Sequence, residues 1–291
     1  MLRDEHRERL SGVLYVVSTP IGNLGDITYR AVEVLREADV ILAEDTRRTR
    51  VLLDNYAIAG VGLQSLHKHN EATRAEQAVA RLREGAKLAL VSDSGTPLIS
   101  DPGLRLVRAA LEAGARVVPV PGPSAALAAL VASGLDPEPF TFYGFPPRGG
   151  LARRELVAAL ARITHTALLF ESPQRLERTL EDLRAEMGGE RRVVLARELT
   201  KVHEEIVHGT LDEALAYYGA YPPRGEVVIC LAGAGDGSSA PDVDAALAWA
   251  RVMAGEGAST RDIVEALRAR FALERNRAYD LAIEALEEDG Q

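Results

Sequence analysis

The chain has 291 residues, which allows about two domains of ordinary size. Hydrophobic residues make up 47%, enough for full cores, yet no apolar run reaches the roughly 18 residues that cross a bilayer, so no membrane association is expected. The formal charge of −9 argues against a surface coated for nucleic acid while leaving room for local basic strips.

Met1 to Leu10 is charged and lacks the apolar segment of a secretory signal, so a cytoplasmic location is expected. Val13 to Val17 then reads as a strand ending in the turn Thr19-Pro-Ile-Gly-Asn23. Thr28 to Glu37 has helical spacing, with Val32 and Leu35 on one face. Val40 to Ala43 is a second strand, followed by a helix from about Thr46. A helix over Glu71 to Glu84 leads to a strand over Leu88 to Val91 and a loop rich in Gly, Pro, Ser and Asp from Ser92 to Pro102. Leu104 to Ala113 is a helix closed by Gly114, and Arg116 to Val120 is another strand. Apolar strands alternating with helices predict a mainly parallel sheet covered on both faces.

Pro121-Gly-Pro123 marks a first domain boundary, giving an α/β domain over residues 11–122 and a second over 123–235. Strands are expected at Phe140 to Tyr143, Ala167 to Phe170, Val193 to Ala196, Glu205 to His208 and Val227 to Leu231. Pro173 to Met187 is a helix, with proline at a tolerated early position. The single cysteine, Cys230, lies in an apolar run and reads as a buried thiol; alone it builds neither a disulfide framework nor a zinc site, which again suits a reducing compartment. The stretch Gly233 to Pro241 has linker composition, and residues 242–291 show only helical patterns, at Ser259 to Phe271 and Glu274 to Glu287.

In open parallel sheets ligands sit beyond the carboxyl ends of strands. The loops Thr19 to Asn23, Glu44-Asp-Thr-Arg47, Ser92-Asp-Ser-Gly-Thr-Pro97 and Glu171-Ser-Pro173 all follow strands. No Gly-x-Gly-x-x-Gly or Gly-x-x-x-x-Gly-Lys-Ser/Thr is present, so dinucleotide and phosphate-loop fingerprints are missing. His67-Lys-His69 reads as polar lining of a cleft rather than half of a metal site, and no metal is expected. Ser124 is placed to cap the helix that follows it.

The run Leu14-Tyr-Val-Val-Ser-Thr-Pro-Ile-Gly-Asn-Leu-Gly-Asp-Ile-Thr28 resembles the opening signature of the ribosomal RNA small subunit methyltransferase I family, within the tetrapyrrole-methylase superfamily. Glu44-Asp-Thr-Arg47, His67-Lys-His-Asn-Glu71, Ser92-Asp-Ser-Gly-Thr-Pro-Leu-Ile-Ser-Asp-Pro-Gly103, Pro121-Gly-Pro-Ser-Ala125, Gly144-Phe-Pro-Pro147, Glu171-Ser-Pro-Gln-Arg175 and Arg197-Glu-Leu-Thr-Lys201 continue the likeness in order. Ser94 and Pro146 depart from the usual pattern. The resemblance implies two consecutive α/β/α domains with S-adenosylmethionine between them, a homodimer, and 2′-O-methylation of a decoding-centre cytidine, nucleotide 1402 of 16S ribosomal RNA, in the 30S subunit. Carried over residue by residue, it implies cofactor contacts from Pro20, Asp93, Gly95, Ser124, Ala125 and Phe170.

A ribose hydroxyl is a weak acid, so methylating it calls for a general base or electrostatic help. The base candidates are Lys201, Glu44, Asp45 and His69, with Asp26, Glu198 and Glu204 on neighbouring loops. Lys201 stands out because only Lys68, Lys87 and Lys201 are lysine among 34 basic residues, and Arg197 and a sulfonium nearby would depress its pKa. The competing reading pairs Lys201 with Glu198 or Glu204, and makes Glu44-Asp45 a helix cap. Arg47 and Arg48, Arg148 and Arg153, and Arg268 and Arg275 are candidates for RNA contact, the last pair on a helical tail that would dock substrate or simply pack. A tetrapyrrole-type methyltransferase and a non-catalytic RNA-binding module are the alternative functions.

Overall fold

The computed structural model describes residues 10–235, 243–255, 258–271, 273 and 275–288. The amino-terminal stretch and most of the linker predicted above lie outside the described residues. Those described fall into two compact units, one running through residue 235 and the other starting at residue 243.

The chain opens with β1 (Val13–Val17), α1 (Tyr29–Glu37), β2 (Val40–Ala43), α2 (Thr46–Asn55), β3 (Gly62–Ser65), α3 (Glu71–Arg83), β4 (Lys87–Val91), α4 (Leu104–Glu112) and β5 (Arg116–Val120). The strands form one parallel sheet in the order β3-β2-β4-β1-β5. Alternation within each strand feeds two cores. Leu14, Leu42, Leu88 and Leu90 cluster with Leu82 of α3 and Leu106 of α4. Val17, Ile41, Ala89 and Val91 cluster with Leu35 of α1 and Leu53 of α2. Each fully buried leucine contributes about 1.5–3 kcal/mol. The pattern does not announce β3, because Gly-Leu-Gln-Ser is an edge strand with one large apolar residue and β2 as its ladder partner. Thr28 caps α1 by accepting from Ala31 N at 3.1 Å, and Asp45 caps α2 by accepting from Arg47 N at 2.8 Å.

The second half runs α5 (Ala125–Ser133), β6 (Phe140–Phe142), α6 (Gly150–Arg162), β7 (Thr166–Glu171), α7 (Pro173–Met187), β8 (Arg192–Arg197), β9 (Glu205–Thr210), α8 (Leu211–Ala220) and β10 (Val227–Leu231). Its sheet has the order β6-β7-β10-β8-β9, with β6 and β7 parallel and the other neighbours antiparallel. Leu169, Leu195 and Ile229 face one core with Leu176 and Leu180 of α7. Leu168, Val194 and Cys230 face the other with Ala129 and Leu130 of α5, and Ile21 from the first half joins this second core. Burial pushes the Cys230 thiol up to about 12, so it is a core residue and not a nucleophile. Ser124 sits at the N-cap of α5, but its side chain makes no capping hydrogen bond, which corrects the capping expectation and leaves the hydroxyl for other partners.

The carboxyl-terminal unit contains α9 (Val243–Gly255), α10 (Thr260–Phe271) and α11 (Arg275–Glu288) around Ala246, Ala250, Ile263, Leu267, Leu281 and Ala282. The Ser259 hydroxyl accepts from Asp262 N at 3.3 Å and starts α10. Among the described residues no helix is long and apolar enough to cross a membrane.

Candidate active site

Because every strand of the first sheet runs the same way, the loops after β1, β2, β4 and β5 emerge at one edge. Hydrogen bonds tie three of them together. Thr19 and Gly95 exchange backbone bonds of 2.9 and 3.0 Å. The Ser18 and Thr96 hydroxyls lie 3.0 Å apart, and Thr96 Oγ1 donates to Pro123 O at 3.1 Å. Gly95 has φ 79°, and a Cβ there would lie 3.3 Å from Ile21 Cγ2, so a side chain would strain both loops.

The second sheet supplies the facing wall. The carboxyl end of β7 lies beside the amino end of β10, with Glu171 opposite Val227. Together the two halves enclose a cavity of about 500 Å³, lined by Ile21, Arg48, Asp93 to Thr96, Ile99 to Asp101, Ser124, Ala125, Phe145, Phe170 to Gln174 and Gly225 to Val228. That volume suits a ligand of nucleoside size. Phe145 and Phe170 meet edge to face, with centroids 5.5 Å apart. Glu171, 1% exposed, is held by Thr179 Oγ1 at 2.6 Å, its own neighbour Ser172 N at 2.8 Å and Arg175 at 3.3 Å.

Of the residues singled out in the sequence, Asp93, Gly95, Ser124, Ala125 and Phe170 meet in this one cavity. Pro20 is outside its lining, and its neighbour Ile21 occupies the wall instead. Asp93 accepts from Asp45 N at 2.8 Å and faces Arg48 at 3.7 Å. Arg48 thus lines the cavity, with its side chain largely exposed.

The base candidates separate. Asp45 caps α2 and binds the Arg47 guanidinium at 2.8 Å, and that hydrogen bonding holds its carboxyl down at about 2, where it is a poor proton acceptor. Glu44 is half-buried, and burial followed by the Asp93 charge raises its pKa, but it lies outside the cavity lining. His69 is exposed and makes an edge contact with His67. Lys201 contradicts the expectation of a depressed pKa. Burial pulls it down, but the hydrogen bond from its ammonium to Glu198 at 2.8 Å and the Glu226 carboxylate at 3.5 Å outweigh that and leave it raised. A lysine so paired stays protonated and shapes the loop. Its Cγ packs where a Cβ on Gly22 would otherwise sit, at 2.4 Å.

Arg153 is a second correction. It is 4% exposed, donates to Asp182 at 2.6 Å, to Pro147 O at 3.1 Å and to Thr179 Oγ1 at 3.0 Å, and so belongs to the buried network behind Glu171 rather than to an RNA-facing strip. Arg47 and Arg148 are exposed. Within the carboxyl-terminal unit, Arg268 and Arg275 line one groove between α10 and α11, together with Arg261 and Tyr279.

Sequence reasoning passed over Asp101. It sits in the cavity wall, where burial, reinforced by Glu44 and Asp93 and opposed by the Ser92 hydroxyl and Lys68, pushes its carboxyl up to about 6. The available signal was its place in a loop already marked by glycine and proline, Ser92 to Gly103.

The model of the Tetrapyrrole (Corrin/Porphyrin) Methylases matches residues 13–215. Ribosomal RNA small subunit methyltransferase I of Synechocystis sp. is 43% identical over 281 residues, spanning 96% of this chain and 100% of that protein. Its namesake from Escherichia coli O157:H7 is 48% identical over 235 residues, 80% of this chain and 82% of the relative. The chain belongs to the ribosomal RNA small subunit methyltransferase I family of tetrapyrrole methylases. It is thus a methyltransferase by descent. Among solved structures, uroporphyrin-III-C-methyltransferase from Thermus thermophilus superposes with TM-score 0.54 at 23% identity, covering 75% of this chain and 94% of that one. Diphthine synthase gives 0.59 at 17% identity, covering 76% and 90%. These two share the methylase fold with the family.

Proposed function

We propose that the chain transfers the methyl group of S-adenosylmethionine to the ribose 2′-hydroxyl of a decoding-centre cytidine in 16S ribosomal RNA, in the cytoplasm, as a homodimer acting on the 30S subunit. The observation that carries this reading is the end-to-end match to a ribosomal RNA methyltransferase. Uroporphyrin-III-C-methyltransferase is covered almost whole by three quarters of this chain, whereas the Synechocystis relative takes in nearly all of it. The extra length fits a macromolecular substrate better than a tetrapyrrole.

The cavity fits the cofactor. Its apolar wall of Ile21, Phe145, Phe170 and Val228 suits an adenine ring, and Asp93 and Glu226 suit hydroxyl and ammonium groups. Gly95 lets backbone approach closely. Asp93, Gly95, Ser124, Ala125 and Phe170, joined by Ile21, would hold it. When bound, the cofactor supplies an electrophilic methyl group on a sulfonium, so transfer to oxygen releases one proton and needs no oxidant. The protein's part is to align the acceptor and take that proton. Arg268 and Arg275 make the helical unit a docking surface for RNA phosphates.

The test supplies the purified protein with labelled S-adenosylmethionine and either 30S subunits lacking the modification or uroporphyrinogen. Label is expected in the subunits alone, at one ribose mapped by mass spectrometry to that cytidine. A chain ending at Gly235 is expected to bind cofactor and lose subunit methylation. Label in uroporphyrinogen, or full activity of the shortened chain, overturns the corresponding part of the reading.

A further inference from the structure

We propose that Asp101 is the group that accepts the proton from the acceptor hydroxyl. The proposal rests on the ribose-methylation reading and names the residue that completes it.

The geometry singles out one carboxyl by what the others are doing. The cavity wall holds four acidic side chains, Asp93, Asp101, Glu171 and Glu226. Asp93 is taken by Asp45 N and Arg48. Glu171 is saturated by Thr179, Ser172 and Arg175. Glu226 is exposed and reaches the Lys201 ammonium. Among the described residues, Asp101 is the cavity carboxyl with no ion pair. The competing proton acceptors are disqualified in other ways, Lys201 by its paired ammonium and Asp45 by its cap.

The backbone around Asp101 is built at a cost. Leu98 and Ser100 adopt left-handed φ of 74° and 73°, and Gly103 follows at 127°. Non-glycine residues hold such angles only where surrounding structure imposes them, and they concentrate at functional sites. Here the surroundings are visible. Buried Glu71 accepts from Gly103 N at 3.0 Å and from Arg105 N at 2.8 Å, and the Gly103 backbone lies so close to β4 that a Cβ would stand 2.7 Å from Leu90 Cδ2. The loop is thereby pinned at its far end, two residues beyond Asp101 in the cavity wall.

The charged groups around Asp101 are Glu44 at the end of β2, Asp93 after β4, Lys68 before α3 and Arg48 on α2, with Glu171 and Glu226 in the same cavity wall. Burial and the two nearest carboxylates hold Asp101 at about 6, so near neutral pH it is ionised yet basic enough to take a proton. In the step itself the hydroxyl's proton passes to a carboxylate oxygen of Asp101, leaving the O–H pair on oxygen, while an oxygen lone pair forms the new bond to the methyl carbon and the carbon–sulfur pair leaves with the cofactor as a neutral thioether. The protonated carboxyl then returns its proton to water.

Asp101→Asn keeps size and hydrogen bonding and removes the basic oxygen. Turnover on 30S subunits is expected to fall by roughly 10²–10⁴-fold, with S-adenosylhomocysteine affinity by calorimetry unchanged. Wild-type turnover is expected to decline as pH falls through about 6, and Asp101→Asn to lose that limb. Asp101→Glu keeps the limb at reduced rate. Infrared difference titration, which needs no activity, is expected to show a carboxyl protonating near that pH in the wild type and not in Asp101→Asn. Near-normal turnover of Asp101→Asn, or a limb that disappears in Glu44→Gln and survives in Asp101→Asn, overturns the assignment. A wild type inert on subunits refutes the functional reading instead, and the infrared titration then decides Asp101 separately.

Discussion

The two five-stranded sheets bring backbone to the cavity in different ways. In the first, five parallel strands place the loops after β1, β2, β4 and β5 at one edge; Thr19, Gly95, Thr96 and Pro123 join three of them, and Asp45 N joins the loop after β2 to Asp93. In the second, β10 runs against both β7 and β8, so the same edge holds the carboxyl ends of two strands and the amino end of a third. The first wall is a set of polar loops fixed by short hydrogen bonds. The second is a buried network, Asp182 to Arg153 to Thr179 to Glu171, that stiffens the wall from behind. One sheet offers chemistry and the other offers shape.

That difference predicts where substitutions hurt. The largest effect on stability is expected on the second wall. Arg153→Ala removes the partner of the half-buried Asp182 and a donor to Thr179 and Pro147, and should cost about 2 kcal/mol, chiefly because buried acceptors lose their donor. Denaturant unfolding measures this; a loss no larger than that of an exposed arginine would show that the wall is not held from behind. On the first wall the direction reverses. Asp101→Asn should stabilise the protein by about 1 kcal/mol above pH 6 once solvent screening is allowed for. The folded-state pKa lies above the ordinary carboxylate value, so the wild type loses stability as pH rises from about 4 to about 6. The gain from asparagine should therefore grow through that window and level off above it. Equal stability of the two proteins at every pH would contradict the burial of Asp101.

The smallest effect is expected at the junction of the walls. Lys201→Arg retains the charge that faces Glu198 and Glu226, and subunit methylation should stay within a few-fold of normal. A fall approaching the roughly 10²–10⁴-fold expected of a lost general base, with cofactor binding intact, would return the lysine to the chemistry.

The same contrast explains what could be read in advance. The rule that ligands gather beyond the carboxyl ends of parallel strands applies throughout the first sheet, and the loop Ser92 to Pro97 follows from it, while Asp93 and Gly95 within that loop were named by the family resemblance. It cannot find Gly225 to Val228, because those residues lead into β10 from its amino end and reach the cavity only through antiparallel pairing. Apolar runs mark where strands are, as at Val40 to Ala43 and Val227 to Leu231, but not which way they run. Arg153 was misjudged for a related reason. An arginine among Arg148 and Arg154 looks like a solvated strip until helix geometry turns it inward toward Asp182. Lys201 was legible as unusual, but the carboxylates that neutralise it come from Glu198 beside it and from Glu226 across a β ladder. The all-helical tail was clear in outline, although α9 was not separated from its neighbours.

The central claim is that both walls together make the cofactor site, and calorimetry with S-adenosylhomocysteine on the wild type and on Gly225→Val tests it directly. Gly225 has φ 78°, which side chains rarely adopt, and a Cβ there would collide with the Glu198 carboxylate, so valine strains the turn that leads into β10 and pushes the Glu198 side chain aside at the second wall. The account predicts saturable binding of one S-adenosylhomocysteine per chain in the wild type, no binding of nicotinamide dinucleotide, and loss of most of the affinity in Gly225→Val. Undiminished binding in that variant, or dinucleotide binding with none of S-adenosylhomocysteine, would contradict it.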